Sequence, residues 1–294
     1  MSAGWRALAP GKVNLALFIG APRASDRLHP LVSVVQPLSL ADELTLRAAP
    51  AGVREDEVRC PGVEGPNLAG AALAAFRART GWDAPPQRLE IVKRVPVAAG
   101  MGGGSGDAAA ALRLAAAASG TDDPELLHEL AVGLGADVPS QVSPGRVLMS
   151  GAGEHVEPLA DPAPFGLVIV PLDAGLSTPE VYRAFDAGSE PRTEDELEAL
   201  ADELRTTWLA PERIHNDLED AARGLCGLID PALEAVRATG APHALVSGSG
   251  PTVFGILPTA EEAVAAARAL APAFPRTVAA EPTGPAFAAP QPLP

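Results

Sequence analysis

Residues 96–107 read Pro-Val-Ala-Ala-Gly-Met-Gly-Gly-Gly-Ser-Gly-Asp, and an alanine-rich segment follows directly. Five glycines fall within the seven residues from Gly100 to Gly106. Glycine lets backbone N–H groups approach a ligand closely. A helix that begins behind such a turn presents unpaired N–H groups and about half a positive charge. The stretch therefore predicts a phosphate-binding turn that runs into a helix.

Other kinds of glycine-rich turn fit this stretch less well. A Walker A loop ends in Gly-Lys-Ser/Thr, and no lysine follows these glycines. A relaxed dinucleotide fingerprint runs from Gly104 through Gly106 to Ala109. That fingerprint belongs between two parallel strands, whereas residues 124–134 have apolar side chains at helical spacing. A tight turn without a ligand remains open, although one or two glycines suffice for it.

Composition excludes several classes of partner. The chain has 294 residues, 47% of them hydrophobic and 20% charged, which is enough for one large or two ordinary globular domains. Its net charge is −15, from 22 basic and 37 acidic residues. Such a surface repels nucleic acid and anionic lipid. We therefore predict neither nucleic acid nor a membrane as a partner.

The cysteines and histidines show no disulfide or metal-ligand pattern. Cys60 and Cys226 are the only cysteines, and the five histidines lack ligand spacing. We expect two free thiols in a reducing compartment and no metal held by protein side chains alone. No apolar run has the length of a signal peptide or a transmembrane helix, so the sequence predicts a cytoplasmic protein.

Strands and helices are predicted without strict βαβ alternation, which is typical of an α+β fold. The predicted strands cover residues 13–19, 42–48, 89–97, 165–171, 244–246 and 253–257. The predicted helices cover residues 68–79 with Asn67 as N-cap, then 107–118, 124–134, 193–209, 217–228, 231–239 and 261–270. A glycine- and proline-rich stretch at residues 151–164 predicts a boundary between domains of residues 1–155 and 156–280. Residues 281–294 contain five prolines and predict a frayed tail.

Two shorter motifs lie near the ends of the chain. Ala9-Pro10-Gly11-Lys12-Val13-Asn14 places Lys12 and Asn14 on one face of the opening strand. Val246-Ser247-Gly248-Ser249-Gly250-Pro251-Thr252 lies between two predicted strands. Taken alone, the first motif is best interpreted as a strand with a solvent-exposed lysine, and the second as a β-turn.

Together, and in this order, the three motifs resemble those of the GHMP small-molecule kinase superfamily. Its members carry a Pro-x-x-x-Gly-Leu-Gly-Ser-Ser-type phosphate loop between an N-terminal motif and a C-terminal glycine-rich motif. The resemblance spans nearly the whole chain. It implies a two-domain GHMP kinase fold, in which the first domain is similar to domain 2 of ribosomal protein S5 and the second is ferredoxin-like.

Within the superfamily, the chain is most similar to the kinases of 4-diphosphocytidyl-2-C-methyl-D-erythritol in the non-mevalonate isoprenoid precursor pathway. The segments that carry this resemblance are residues 10–15, 26–29, 67–68, 93–96 and 135–139. They imply ATP-dependent phosphorylation of the 2-hydroxyl of a cytidine diphosphate sugar alcohol. The implied cofactors are ATP and Mg²⁺, and the expected assembly is a monomer or a weak homodimer.

The resemblance also implies roles for two charged residues. Asp137 would be the general base that accepts the proton of the attacking hydroxyl. Lys12 would keep Asp137 ionised and stabilise charge on the transferring phosphoryl group. Phosphoryl transfer needs such positioning and charge neutralisation more than covalent catalysis.

Further residues are implied to bind the two substrates. The ATP phosphates would lie against Pro96, Val97, Ala98, Ala99, Gly100, Met101, Gly102, Gly103, Gly104, Ser105 and Gly106. Asn67 and Lys93 would lie near the adenine. Asn14, His29, Thr178 and Asn216 would face the cytidine-bearing substrate.

The chain departs from that family where aromatic rings hold the cytosine. Leu28 stands in place of a tyrosine, and Ser140-Gln141 stand where the family carries another ring. Stacking on an aromatic ring is worth about 1–3 kcal/mol per base. Two alternatives therefore stay open: a GHMP kinase that acts on a different small alcohol, and a non-catalytic nucleotide-binding protein on the same fold.

Overall fold

The computed structural model describes residues 4–161, 163–207 and 213–294. Its strands are β1 (Trp5–Ile19), β2 (Leu31–Ala48), β3 (Glu57–Arg59), β4 (Gln87–Val92), β5 (Val147–Gly151), β6 (His155–Pro158), β7 (Gly166–Val170), β8 (His215–Asn216), β9 (His243–Val246), β10 (Val253–Leu257), β11 (Val278–Ala280) and β12 (Gln291–Pro292). Its helices are α1 (Leu68–Thr80), α2 (Gly103–Ser119), α3 (Pro124–Leu134), α4 (Pro139–Val142), α5 (Thr178–Gly188), α6 (Glu194–Thr207), α7 (Glu219–Leu225), α8 (Ile229–Ala238) and α9 (Ala260–Leu270). No helix in these ranges is long and apolar enough to cross a membrane.

The first sheet is built on the long antiparallel pair of β1 and β2. Its order is β12-β1-β2-β4-β3, with β5 beside β2, β6 beside β5 and β8 beside β1. Helices α1 and α2 pack against this sheet through fully buried side chains that include Phe76, Leu112 and Leu114. Alanine dominates α2, and its small side chain and high helix propensity let a buried helix approach its neighbours closely.

The second sheet is antiparallel and has the order β11-β7-β10-β9. The chain runs from β7 through helices to β9, turns directly into β10, and passes through α9 to β11. This is the βαββαβ arrangement of a ferredoxin-like domain. The predicted α+β class and the predicted fold of the second domain are confirmed.

One apolar core lies between the two sheets. Leu15 and Val34 of the first sheet belong to the same buried cluster as Ile169 and Phe254 of the second sheet. All four side chains are fully buried. Packed side chains therefore join the two halves of the chain at the level of their sheets.

Several predicted boundaries differ from the structure. The strand predicted over residues 89–97 ends at Val92, and α2 begins at Gly103 rather than near Asp107. Glycines thus form the first turn of α2, because burial of the helix outweighs their low helix propensity. The boundary predicted after residue 155 falls inside β6, which pairs with β5. The predicted helix over residues 193–209 is α6, and its predicted end at Leu209 lies outside the described residues.

The C-terminal residues 281–294 are not frayed, contrary to the prediction. Strand β12 pairs antiparallel with the start of β1, and Ala288 is fully buried. The N–H of Leu293 donates to the carbonyl of Gly4 at 2.7 Å. Prolines suit this position because an edge strand needs few backbone donors.

Candidate active site

A cleft of about 450 Å³ lies where β1, the start of α2 and the turn between β9 and β10 meet. It brings together residues from all three sequence motifs. Among its lining residues are Lys12, Asn14, Asn67, Lys93, Asp137, Thr178, Tyr182, Gly248, Ser249 and every residue from Pro96 to Ser105.

The glycine-rich loop delivers free backbone donors to this cleft. Gly102 has a left-handed φ of +64° and is the N-cap of α2. The N–H of Gly106 donates to the carbonyl of Gly102 at 2.8 Å, which is the first hydrogen bond of the helix. The N–H groups of Gly103, Gly104 and Ser105 therefore have no carbonyl partner within the helix. Together with the helix dipole, such N–H groups are suited to binding an anion.

The loop is braced by the turn between β9 and β10. The hydroxyl of Ser247 donates to the carbonyl of Gly100 at 3.2 Å. A Cβ on Gly100, whose φ is +74°, would lie 2.6 Å from the carbonyl oxygen of Ser247 and 2.7 Å from that of Gly250. Close approach of two backbone segments, as well as left-handed backbone, therefore requires glycine at position 100.

Lys12 and Asp137 form an ion pair at the floor of the cleft. The Lys12 Nζ lies 3.4 Å from Oδ2 of Asp137 and donates to Oδ1 of Asn14 at 2.8 Å. The amide of Asn14 in turn donates to the hydroxyl of Ser33 at 2.8 Å. The side chain of Lys12 is 5% exposed and that of Asp137 is 35% exposed. The pair thus combines a fixed, buried cation with a carboxylate that a ligand can reach.

Lys93 belongs to a second charge cluster in the lining of the cleft. Its ammonium bonds the carboxylates of Asp42 and Asp107, the latter at 2.8 Å. Asp42 also accepts the backbone N–H groups of Arg94 and, at 2.8 Å, Val95. Burial raises the pKa of Asp107 to about 7, although the charge of Lys93 opposes this shift. The cluster ties the chain that enters the loop to the first turns of α2.

The predicted substrate residues do not all lie in the cleft. Asn14 lines it, and so does Thr178, whose hydroxyl lies 2.9 Å from that of Ser249. Asn216 is 4% exposed and its amide donates to the carbonyls of Val246 and Gly248, both at 2.8 Å, so it supports the third motif from beneath.

His29 lies one layer behind the cleft. Its Nδ1 is 2.8 Å from the carbonyl of Gly20 and its Nε2 is 3.5 Å from the carboxylate of Asp186. Its ring centroid is 5.0 Å from that of Tyr182. His29 therefore supports Tyr182 rather than lining the cleft directly. The nearby side chain of Leu28 is 52% exposed.

Tyr182 is a cleft residue that sequence reasoning missed. It is the single tyrosine of the chain. Burial and the charge of Asp137 raise its pKa above the ordinary range, so the phenol stays neutral. It lies on α5, which was not predicted, although Ser177 followed by a proline at the first turn is a helix-start signal.

The distribution of lysines is a second signal that was missed. The chain has only two lysines, Lys12 and Lys93, and twenty arginines. Both lysines line the cleft. A residue type that a chain otherwise avoids is informative where it occurs, and here both lysines lie in one cavity.

No group of three or more histidine, cysteine, aspartate or glutamate side chains in the described ranges is arranged to hold a metal ion. A divalent cation in this cleft would need ligands that a bound substrate brings with it.

Comparison with known proteins identifies the family. Residues 67–145 match the model of the N-terminal domain of GHMP kinases, and residues 192–276 match that of their C-terminal domain. The chain belongs to the GHMP kinase family, and the two-domain fold predicted from its motifs is confirmed. It is an ATP-dependent kinase.

Within this family, the chain is similar to several kinases that share the name of one substrate. The 4-diphosphocytidyl-2-C-methyl-D-erythritol kinase of Nocardioides sp. is 42% identical over 270 residues, covering 87% of this chain and 89% of the relative. The enzyme of the same name from Streptomyces coelicolor is 40% identical over 258 residues, covering 83% and 84%. A crystal structure of 4-(cytidine 5'-diphospho)-2C-methyl-D-erythritol kinase superimposes with a TM-score of 0.77 at 33% identity, covering 95% of this chain and 99% of that one.

The fold extends to more distant kinases. The crystal structure of homoserine kinase from Cytophaga hutchinsonii superimposes with a TM-score of 0.75 at 17% identity, covering 99% of this chain and 98% of the other. At that identity the likeness shows the fold alone.

Proposed function

We propose that this kinase transfers the γ-phosphoryl group of ATP to the 2-hydroxyl of 4-diphosphocytidyl-2-C-methyl-D-erythritol, a step of the non-mevalonate isoprenoid precursor pathway. The observation that carries the proposal is the ion pair of Lys12 and Asp137. The Nζ of Lys12 and Oδ2 of Asp137 lie 3.4 Å apart, in the same cleft as the N-terminus of α2. The names of the relatives at about 40% identity supply the substrate.

The transfer needs one proton acceptor and one fixed cation. Asp137 accepts the proton of the attacking hydroxyl of the substrate. The oxygen of that hydroxyl forms a bond to the γ-phosphorus, while the bond from this phosphorus to the β–γ bridging oxygen breaks and ADP is released. Lys12 holds Asp137 in place and offsets negative charge on the phosphoryl oxygens. Because Lys12 is buried and bonded to Asn14, its ammonium is preorganised for this role.

The cleft suits the triphosphate of ATP. Its volume lies in the range of nucleotide-sized sites. The free N–H groups of Gly103, Gly104 and Ser105 would bind phosphate oxygens, and residues 96–102 would wrap around them. Asn67 and Lys93 line the adjoining part of the cleft, which we assign to the adenine.

Mg²⁺ fits this cleft as a companion of the nucleotide. The hydroxyl of Ser105 and the phosphate oxygens are suitable hard ligands. When bound, the ion supplies charge neutralisation at the phosphates. Activity is therefore expected to require a divalent cation and to be abolished by a chelator.

Tyr182 supports recognition of the cytidine. Its ring lies in the cleft near Asp137 and is backed by His29. It supplies an aromatic surface that the sequence lacks at Leu28 and at Gln141. This favours the cytidine-bearing substrate over an unrelated small alcohol.

The proposal is tested by coupled detection of ADP release. The purified chain is given ATP, Mg²⁺ and either the cytidine diphosphate substrate or 2-C-methyl-D-erythritol alone. We expect turnover of the first only, and faster turnover of the cytidine-free alcohol would overturn the proposal. Asp137→Asn should lower kcat by about 10²–10⁴. Asp122→Asn, which changes a carboxylate outside the cleft, should not.

We further propose a cytoplasmic enzyme that acts as a monomer or weak homodimer. Its expected partners are small molecules alone, in keeping with its charge of −15. Light scattering across a hundredfold range of concentration tests the oligomeric state.

A further inference from the structure

Arg113 is a buried cation with no carboxylate partner. It lies in the middle of α2 and is 8% exposed. No aspartate or glutamate of the described residues lies within ion-pair distance of its guanidinium, which bonds backbone carbonyls instead. Burial lowers its pKa to about 10, so it remains charged at neutral pH. Burying an unpaired charge is costly, so its contacts are informative.

The guanidinium joins three elements of the site. One arm, Nη1, donates to the carbonyl of Gln141 and, at 3.5 Å, to that of Val142 at the end of α4. The other arm, Nη2, donates to the carbonyl of Leu8 on β1 at 2.8 Å. The arginine itself belongs to α2, whose first turn ends the glycine-rich loop.

Short, ordered segments connect these carbonyls to the proposed reacting residues. Leu8 precedes Lys12 on the same strand, which is paired with β2 on both sides of a register shift between Pro10 and Lys12. Gln141 follows Asp137 by four residues, and α4 begins between them at Pro139. Two hydrogen bonds fix the segment between them. The N–H of Gln141 donates to the carbonyl of Val138 at 3.0 Å, and the hydroxyl of Ser140 donates to the carbonyl of Asp137 at 2.9 Å.

We propose that Arg113 is a positioning residue for phosphoryl transfer, and that its guanidinium sets the spacing of β1 and α4 that places the ammonium of Lys12 beside the carboxylate of Asp137. This rests on the proposed function, which gives that pair its role. The arginine touches no reacting atom and acts only through the two backbones that it joins.

Arginine suits this task and lysine does not. A guanidinium presents several donors in one rigid plane, so it fixes the distance between two acceptors on separate elements. An ammonium on a flexible stem does not fix that distance. A displacement of about 1 Å between reacting groups can cost about 10²-fold in rate. Loss of the bridge should therefore affect turnover more than binding.

The test compares Arg113→Lys and Arg113→Met with matched changes at Arg77. Arg77 also lies on a helix of the first domain, and its guanidinium also bonds backbone carbonyls, those of Trp82 and Ala84. It pairs with Asp56, and the hydrogen bonds of its guanidinium go to residues outside β1 and α4. Arg77→Lys thus controls for the general effect of losing a part-buried guanidinium.

We expect Arg113→Lys to lower kcat by about 10- to 100-fold while the KM values for ATP and for the alcohol change less than about twofold. Arg77→Lys should lower Tm but leave kcat unchanged. Should Arg113→Met fail to fold, the two lysine variants still decide the matter. Full kcat in Arg113→Lys, with Tm lowered as in Arg77→Lys, would overturn the positioning role and leave the proposed function intact. If the wild-type chain does not phosphorylate the cytidine substrate, both proposals fail.

Discussion

The ammonium of Lys12 and the carboxylate of Asp137 lie 3.4 Å apart, yet their exposure differs sharply. Lys12 is enclosed by β1, by Asn14 and by the backbone of Gly102, whose Cβ position is 3.0 Å from the lysine stem. Asp137 opens onto the cleft. The cation is therefore part of the framework, and the carboxylate is the member of the pair that a ligand in the cleft can reach.

Lys12→Met keeps the apolar stem and removes the charge. We expect kcat to fall by about 10²–10⁴, because the carboxylate loses its partner and the phosphoryl oxygens lose a cation. Binding of ATP, measured by calorimetry in the absence of the alcohol, should be retained. If ATP binding is lost together with turnover, the lysine acts by supporting Gly102 instead.

Gly100→Ala should weaken ATP binding through the turn that braces the loop. The matched control is Gly120→Ala at the end of α2, because both glycines have a φ of +74° but only the Cβ of the first meets other atoms within 4 Å. Both variants should lose about 1 kcal/mol of stability from backbone strain, and Gly100→Ala should lose more because its Cβ would lie 2.6 Å from the carbonyl oxygen of Ser247. Only Gly100→Ala should raise the KM for ATP, by about tenfold or about 1.4 kcal/mol. Equal KM values in the two variants would contradict the bracing role.

Asp107→Asn should change how stability depends on pH. Burial raises the pKa of Asp107 to about 7 in the folded state, whereas an unfolded aspartate titrates near pH 4. Between about pH 4 and 7 the folded chain holds a proton that the unfolded chain has released, so this group's contribution to stability is lost as pH rises through that window.

The Asp107→Asn variant does not lose stability in this way as pH rises, because its side chain does not titrate. The free energy of unfolding of Asp107→Asn, relative to wild type, should rise by up to about 1.4 kcal/mol per pH unit between pH 5 and 7 and then level off. Urea denaturation at four pH values measures it, with Asp122→Asn as the same change made at an exposed carboxylate. Parallel curves for wild type and Asp107→Asn would show that the carboxyl titrates outside this window.

Tyr182→Ala should raise the KM for the cytidine substrate by about tenfold or more, since a stacked base is worth about 1–3 kcal/mol. Tyr182→Phe keeps the ring and should stay within about threefold of wild type. The KM for ATP should not change in either variant. A Tyr182→Ala enzyme with normal KM would place the cytosine elsewhere in the cleft.

Features that depend on local sequence were predictable. The glycine turn that leads into α2 and the cap at Asn67 follow from residues that are close in the chain, because backbone conformation and capping bonds are local. The pairing of Lys12 with Asn14 also follows from strand periodicity. The first part of β2 was missed because its residues are buried almost without interruption from Leu31 to Leu38, which hides the alternation of a strand.

Features that depend on distant contacts were not predictable. Asn216 was predicted to face the substrate because of the segment in which it lies. Its amide instead donates to two carbonyls of the third motif, those of Val246 and Gly248. The prolines of residues 281–294 predicted a frayed tail, but β12 in this segment pairs with the edge of β1, which is distant in the sequence. In the same way, nothing near Arg113 in the sequence indicates that it lies between Leu8 and Gln141.

The two lysines that line the cleft also determine where an amine-directed reagent can react with this enzyme. Their side chains are 5% and 15% exposed, and every other basic side chain is an arginine or histidine. Apart from the α-amino group, an amine-directed acylating reagent therefore finds its only side-chain targets inside the nucleotide and substrate cleft. Coupling to a surface through lysine would block the enzyme, whereas protection of these two amines from acylation would report directly on how much of the cleft is filled.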